Sequence, residues 1–248
     1  MRAKTPARRS AKNAIASSKP LSTGEFAKSV VAALAPVADP AARAGMRAYM
    51  KNQFEFLGVK TPVRRATVVG LIQAQKNATA SDLLRCARRL WAMPEREYQY
   101  VAVDLLAWHA GKLTPEGLPA LFALVRKKSW WDTVDALAGV IGRVLKQACA
   151  VDPAAQCVMD EALLSDNLWI RRVAIIHQLG WRDHTDAKRL FRYASACAHE
   201  KDFFIRKAIG WALRDYARHA PAEVRAFLRA NGCNQSPLAV REAGKHLE

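Results

Sequence analysis

The sequence predicts an all-α fold, a right-handed superhelical solenoid of stacked helical hairpins with a basic concave surface. Three observations predict it. Apolar residues recur at intervals of three and four, helix breakers fall at helix-length spacing, and a short motif returns every 35 residues along the 248-residue chain.

In chain order, residues 1–19 come first and carry Arg2, Lys4, Arg8, Arg9, Lys12 and Lys19 with no acid. They read as a basic, disordered arm able to grip phosphates. An organellar transit peptide is a lesser reading, and a tail without a specific role is a third. Residues 20–248 read as one repeat domain. Breaks follow at Pro36 and Pro40, at Gly58 with Pro62, at Pro94, at Pro115 and Pro119, and at Pro153, Gly180, Pro221, Gly232 and Pro237. About a dozen helices of modest length fit between them. The runs "LLRCARRLWAM", "EYQYVAVDLLAW" and "LPALFALVRKKSWWDTVDALAGVIGRVL" have helical periodicity, and strand signals are nearly absent.

The repeat is clearest late in the chain. "IRRVAI" begins at Ile170, "IRKAIG" at Ile205 and "VREAGK" at Val240, each 35 residues after the last, with Trp169 and Phe204 as corresponding aromatics. A helix pair at this spacing predicts stacked α-hairpins of the HEAT type, whose inner helices line a concave surface. Upstream, residue matching blurs.

The formal charge of +17 implies a polyanionic partner, with nucleic acid first and an anionic membrane surface second. Without the six basic residues of the arm, 33 basic residues still face 22 acidic ones. Lys60, Arg64, Arg65, Lys127, Lys128, Arg171, Arg206 and Lys207 lie near predicted helix starts, where free N–H groups and the helix dipole favour phosphate. The bland alternative for each is a solvated face. No uncharged stretch reaches the roughly 18 residues of a membrane span. Cys86, Cys149, Cys157, Cys197 and Cys233 are scattered, without Cys-x-x-Cys or a companion His pair. No metal site and no disulfide framework is expected, and a reducing compartment suits them.

One stretch concentrates chemistry. In "KKSWWDTVDALAGV" (127–140), Ser129 and Asp132 have the spacing of a capping box, a sufficient structural role for Asp132. Asp135 lies a turn further in, four residues after Trp131, so indole and carboxylate share a face, while Trp130 points into the core between helices. Arg172 follows Asp135 by 37 residues and Trp211 follows Arg172 by 39, so the three can occupy one face on neighbouring rungs. The alternatives stay open: an Asp–Arg pair serves equally as a ladder salt bridge, and tryptophans at helical spacing are commonly core. Trp91, Trp108, Trp169 and Trp181 are read as core.

The stretches "YMKNQFEFLGVKTPVRR" (49–65), "LWAMPEREYQYVAVDLL" (90–106), "SWWDTVD" (129–135), "LWIRRVAIIHQL" (168–179) and "DFFIRKAIGWALRDYA" (202–217) resemble the AlkD-like DNA alkylation repair family, HEAT-repeat glycosylases that release alkylated purines. By that resemblance Asp135 matches the catalytic aspartate, Trp131 and Trp211 the cleft tryptophans, and Arg172 the cleft arginine. It implies a monofunctional glycosylase acting on double-stranded DNA containing alkylated bases, without a base pocket, cofactor or metal. A monomeric, cytoplasmic, nucleoid-associated protein is expected. Two other classes compete: a non-catalytic HEAT protein binding distorted or branched DNA, and a scaffold for an acidic protein partner.

Overall fold

The computed structural model describes residues 19–247, so the expectation for the basic arm lies almost wholly outside the described residues. Thirteen α-helices are described. They are α1 (Thr23–Leu34), α2 (Pro40–Tyr49), α3 (Thr61–Ala74), α4 (Ala80–Trp91), α5 (Arg96–Trp108), α6 (Leu118–Val125) and α7 (Trp131–Cys149). Then follow α8 (Val158–Leu163), α9 (Leu168–Ile176), α10 (Ala187–Ala196), α11 (Phe203–Ala217), α12 (Pro221–Asn231) and α13 (Pro237–Gly244). Among the described residues the only β-type pairing is an isolated bridge between Glu55 and Glu95.

Odd-numbered helices pack one on the next from α1 through to α13 as a continuous row. The even-numbered helices α4, α6, α8, α10 and α12 form a second layer against it. This is a solenoid of helical hairpins. Each hairpin has only its neighbours to pack on, which is why the core is a continuous ribbon rather than a ball. Upstream of Ile170 the rhythm is not blurred in space. From α3 on, the odd helices begin at Thr61, Arg96, Trp131, Leu168, Phe203 and Pro237, 34–37 residues apart.

Local chemistry accounts for the elements. The helix α4 starts with a capping box in which Thr79 accepts from the Asp82 N–H and Asp82 accepts in return. It buries Leu83, Cys86, Ala87, Leu90 and Trp91 and turns Arg85, Arg88 and Arg89 outward. Each large side chain so buried contributes on the order of 2 kcal/mol. Pro40, Pro62, Pro119, Pro221 and Pro237 each sit in the first turn of a helix, where the missing N–H costs nothing. Trp91 and Trp181 are core, and the Trp91 indole N–H donates to the Lys127 carbonyl at 2.9 Å. Trp169 is half-buried. Trp108 corrects the sequence reading: it is 56% exposed, because it lies one turn beyond Asp104 on the side of α5 that no second layer covers.

The stretch 57–59, between α2 and α3, is held by a buried carboxylate. Glu97 accepts from the N–H groups of Leu57, Gly58 and Val59 at 2.9–3.0 Å. Gly58 has φ +91°, and a side chain there would collide with the Asp39 carbonyl, so only glycine fits.

Helices α7 and α9 approach each other at Gly142, where an added Cβ would lie 1.9 Å from the His177 carbonyl oxygen. Gly142→Ala is therefore expected to force the rungs apart at a cost of roughly 3 kcal/mol, lowering Tm by on the order of 10 °C. A thermal melt checks this; an unchanged Tm contradicts the close approach.

Candidate active site

The site is built from three successive rungs whose starts are defined locally. Asn167 caps α9 by accepting from the Trp169 and Ile170 N–H groups, and Asp202 caps α11 in the same way toward Phe204 and Ile205. The start of α7 differs from the sequence expectation. Its N-cap is Trp130, in extended conformation and without a side-chain cap bond, so Ser129 and Asp132 do not form a capping box. Ser129 Oγ instead donates to the Val125 carbonyl at 2.6 Å. Asp132 is claimed by the previous rung: Arg96 donates to both its oxygens at 2.6 and 3.0 Å and the Tyr100 hydroxyl donates at 2.6 Å. Arg96 is fully buried, so a charge this deep needs that carboxylate more than the helix end needs a cap. Burial and the adjacent Asp132 charge drive the Tyr100 hydroxyl well above the usual phenol range, which keeps it a donor.

Asp135 is the fifth residue of α7 and Arg172 the fifth of α9, so the two face each other across adjacent rungs. Arg172 Nε donates to Asp135 Oδ1 at 2.6 Å and Nη2 to Oδ2 at 2.7 Å, a bidentate fork, while Nη1 donates to the Phe204 carbonyl on the third rung. The arginine side chain is 1% exposed and the aspartate side chain 20% exposed. The carboxylate is thus oriented from behind and keeps an accessible edge with spare acceptor capacity.

The Phe204 and Trp211 rings lie within 6.0 Å of the Arg172 guanidinium carbon, and Trp131 stands four residues before Asp135 on the same helix. The Trp211 ring centroid lies 5.3 Å from the Arg172 guanidinium carbon, 5.4 Å from Lys207 Nζ and 5.9 Å from the Arg214 guanidinium carbon, so its π face already sits in a cationic setting. Trp131 meets the exposed Tyr49 edge-on at 6.1 Å. Trp130 does not enter a dry core. It is half-buried in a cluster with Trp169 and Phe204, at ring separations of 5.0–5.8 Å, that fills the space behind the helix starts.

The basic residues named from sequence take different places. Lys60, Arg65 and Lys127 are exposed. Arg64 is only 4% exposed, and its guanidinium lies against Asp104 at 3.2 Å and over the Tyr100 ring, so it is a buried structural arginine rather than an open phosphate grip. Lys128 adopts a left-handed backbone and turns its ammonium onto the Met93 carbonyl, and burial lowers its pKa. Arg171 and Arg206 are half-buried and both reach residue 200, Arg171 its carboxylate and Arg206 its carbonyl. Lys207 lies between the Phe203 and Trp211 rings.

Two contributors were missed from sequence. Tyr49 belongs to a helix outside the 35-residue rhythm, so spacing gave no hint of it. Arg96 stands 36 residues before Asp132, a pairing visible only once the rungs are known to align.

Comparison with known proteins decides the family. A family model described as DNA alkylation repair enzyme matches residues 30–247. This chain belongs to the DNA alkylation repair enzyme family. A solved structure described as a predicted DNA alkylation repair enzyme from Enterococcus faecalis is 33% identical, with TM-score 0.78 over 85% of this chain and 96% of that one. AlkD2 from Streptococcus mutans is 20% identical, with TM-score 0.57 over 71% of this chain and 87% of that one. The protein smu.31 from Streptococcus mutans UA159 is 17% identical, with TM-score 0.59 over 90% and 100%. The last two share the fold. Comparison with curated proteins gave no match. As in the family reading, Asp135, Trp131, Arg172 and Trp211 fall within the matched span. Among the described residues no helix is long and apolar enough to cross a membrane.

Proposed function

We propose that this DNA alkylation repair protein is a monofunctional glycosylase hydrolysing the N-glycosidic bond of cationic 3- and 7-alkylpurines in duplex DNA. The observation that carries the reading is the Asp135 carboxylate, fixed by the buried Arg172 fork yet open along one edge. An alkylated purine cation is already a good leaving group, so no general acid is required. As its bond to C1′ breaks, positive charge grows on the deoxyribose. A fixed carboxylate stabilises that charge and orients or deprotonates the attacking water. Water adds to C1′, its proton passes to the carboxylate and then to solvent, and the purine leaves with the bonding electrons as a neutral base. Trp131 and Trp211 favour the cationic species through their ring faces and exclude competing water. The chemistry engages sugar and backbone on an open face, with no extrusion of the base into a pocket.

Purified protein incubated with methylated duplex DNA is expected to release 7-methylguanine and 3-methyladenine, with abasic sites left uncleaved. Release no faster than spontaneous depurination would sink the glycosylase reading and favour a non-catalytic binder of distorted DNA.

A further inference from the structure

We infer that Trp108 is a further DNA contact, a platform for the apolar face of a deoxyribose in the duplex backbone, on a rung remote from the carboxylate. The indole is 56% exposed at the end of α5 and forms one wall of a cleft of about 350 Å³ between α3 and α5. Val69 and Ile72 stand on the α3 wall, Ala107 beside Trp108 on the other, and Arg65 and Asp104 at the end nearest the helix starts. An apolar slot with an aromatic wall and a donor–acceptor edge suits a deoxyribose of a duplex strand, whose apolar face is outward and the same in every sequence.

Three observations assign the slot to a DNA strand rather than to a protein. Arg65 and Asp104 also line the neighbouring cleft that runs past Tyr100 to Asp132 and Ala136, so the slot continues toward α7, the helix that carries Asp135. Charge is complementary. Asp104 is already paired with both Arg64 and Arg65, and Arg143 is exposed on the next rung without an ion pair among the described residues. Trp108 and Arg143 are each the thirteenth residue of their helices, so they hold the same register position on adjacent rungs. On the flanking helices Gly70 of α3 and Gly139, one turn before Arg143 in α7, are exposed glycines with nothing near an added Cβ, which lets a rod approach closely.

Trp108 lies eight residues further along its helix than Asp135 and one rung aside, about 15 Å away by helix rise and packing distance. At 3.4 Å per nucleotide this places its partner about four nucleotides from the reacting one. The inference rests on the DNA-facing reading above but not on the excision step.

The test is equilibrium binding of the full chain to an undamaged duplex oligonucleotide, across a salt series, with single-turnover excision of methylated duplex measured in parallel. Trp108→Ala is expected to weaken binding roughly tenfold with an unchanged salt slope, because apolar packing against a sugar releases no counterion. Trp108→Phe should recover most of the loss. Arg143→Gln should reduce the slope by about one. Because Trp108 is exposed, the variants are expected to melt with the wild type. Trp108→Ala binding within twofold of wild type overturns the inference, as does a wild-type dimer that this substitution converts to a monomer. Absent methylpurine release with weakened Trp108→Ala binding leaves this contact standing while the glycosylase reading falls. Normal release with unaltered binding does the reverse.

Discussion

Asp135→Asn is expected to lower the single-turnover excision rate by at least a hundredfold to a thousandfold, the usual loss when a group that stabilises transition-state charge is removed, while duplex affinity changes only a few-fold. The structure adds a second effect. Arg172 would remain buried against a neutral amide, at a cost of about 3 kcal/mol. The assay therefore belongs well below the melting temperature of the variant, with folding confirmed by circular dichroism. Arg172→Gln should also slow excision by freeing the carboxylate. The double variant should be little slower than Asp135→Asn alone, because an arginine that acts by orienting Asp135 has nothing left to orient. A folded Asp135→Asn protein excising within tenfold of wild type would remove Asp135 from the chemistry.

Asp132→Asn carries the second large effect, on stability rather than rate. As a helix cap its loss would cost about 1 kcal/mol. As the counterion of the fully buried Arg96, and the acceptor of the Tyr100 hydroxyl, its loss should cost about 3 kcal/mol or more and lower Tm by on the order of 10 °C. Ser129→Ala, which removes only a bond to the Val125 carbonyl, should cost about 1 kcal/mol. Denaturant unfolding of the pair separates the two roles. Equal small losses would restore the capping box. Excision by folded Asp132→Asn should stay near wild type.

The contrast between these neighbouring aspartates shows where sequence reasoning reached and where it stopped. Periodicity, breakers and the Ile-Arg motif announced a helical solenoid, and the first-turn prolines fell where the breaks were read. The upstream rungs escaped residue matching because Thr61, Arg96 and Trp131 share a position but no chemistry. The spacing of four put Trp131 and Asp135 on one face of a helix, while their roles came only from the family resemblance. Arg172 was legible because Asp135 and Arg172 hold the same place in their helices, the spacing of 37 rather than 35 being absorbed between α7 and α9. Partners that depend on rung alignment were not legible. Nothing local in the sequence says that Asp132 belongs to Arg96, that Arg64 is buried against Asp104, or that Trp108 has no layer above it.

The polar ties between rungs have a consequence for how such a chain can change over generations. Arg96 to Asp132, Arg172 to Asp135 and onward to Phe204, and Arg214 to Glu242 all join one odd helix to the next. A residue inserted into the opening turns of an odd helix would rotate every later side chain by about 100° and break its tie. Insertions before those turns carry no such penalty, and the longer interval from Trp131 to Leu168 is an example. Length variation among descendants of this chain should accordingly gather in the second layer and its loops, leaving the reading frame of the odd row intact.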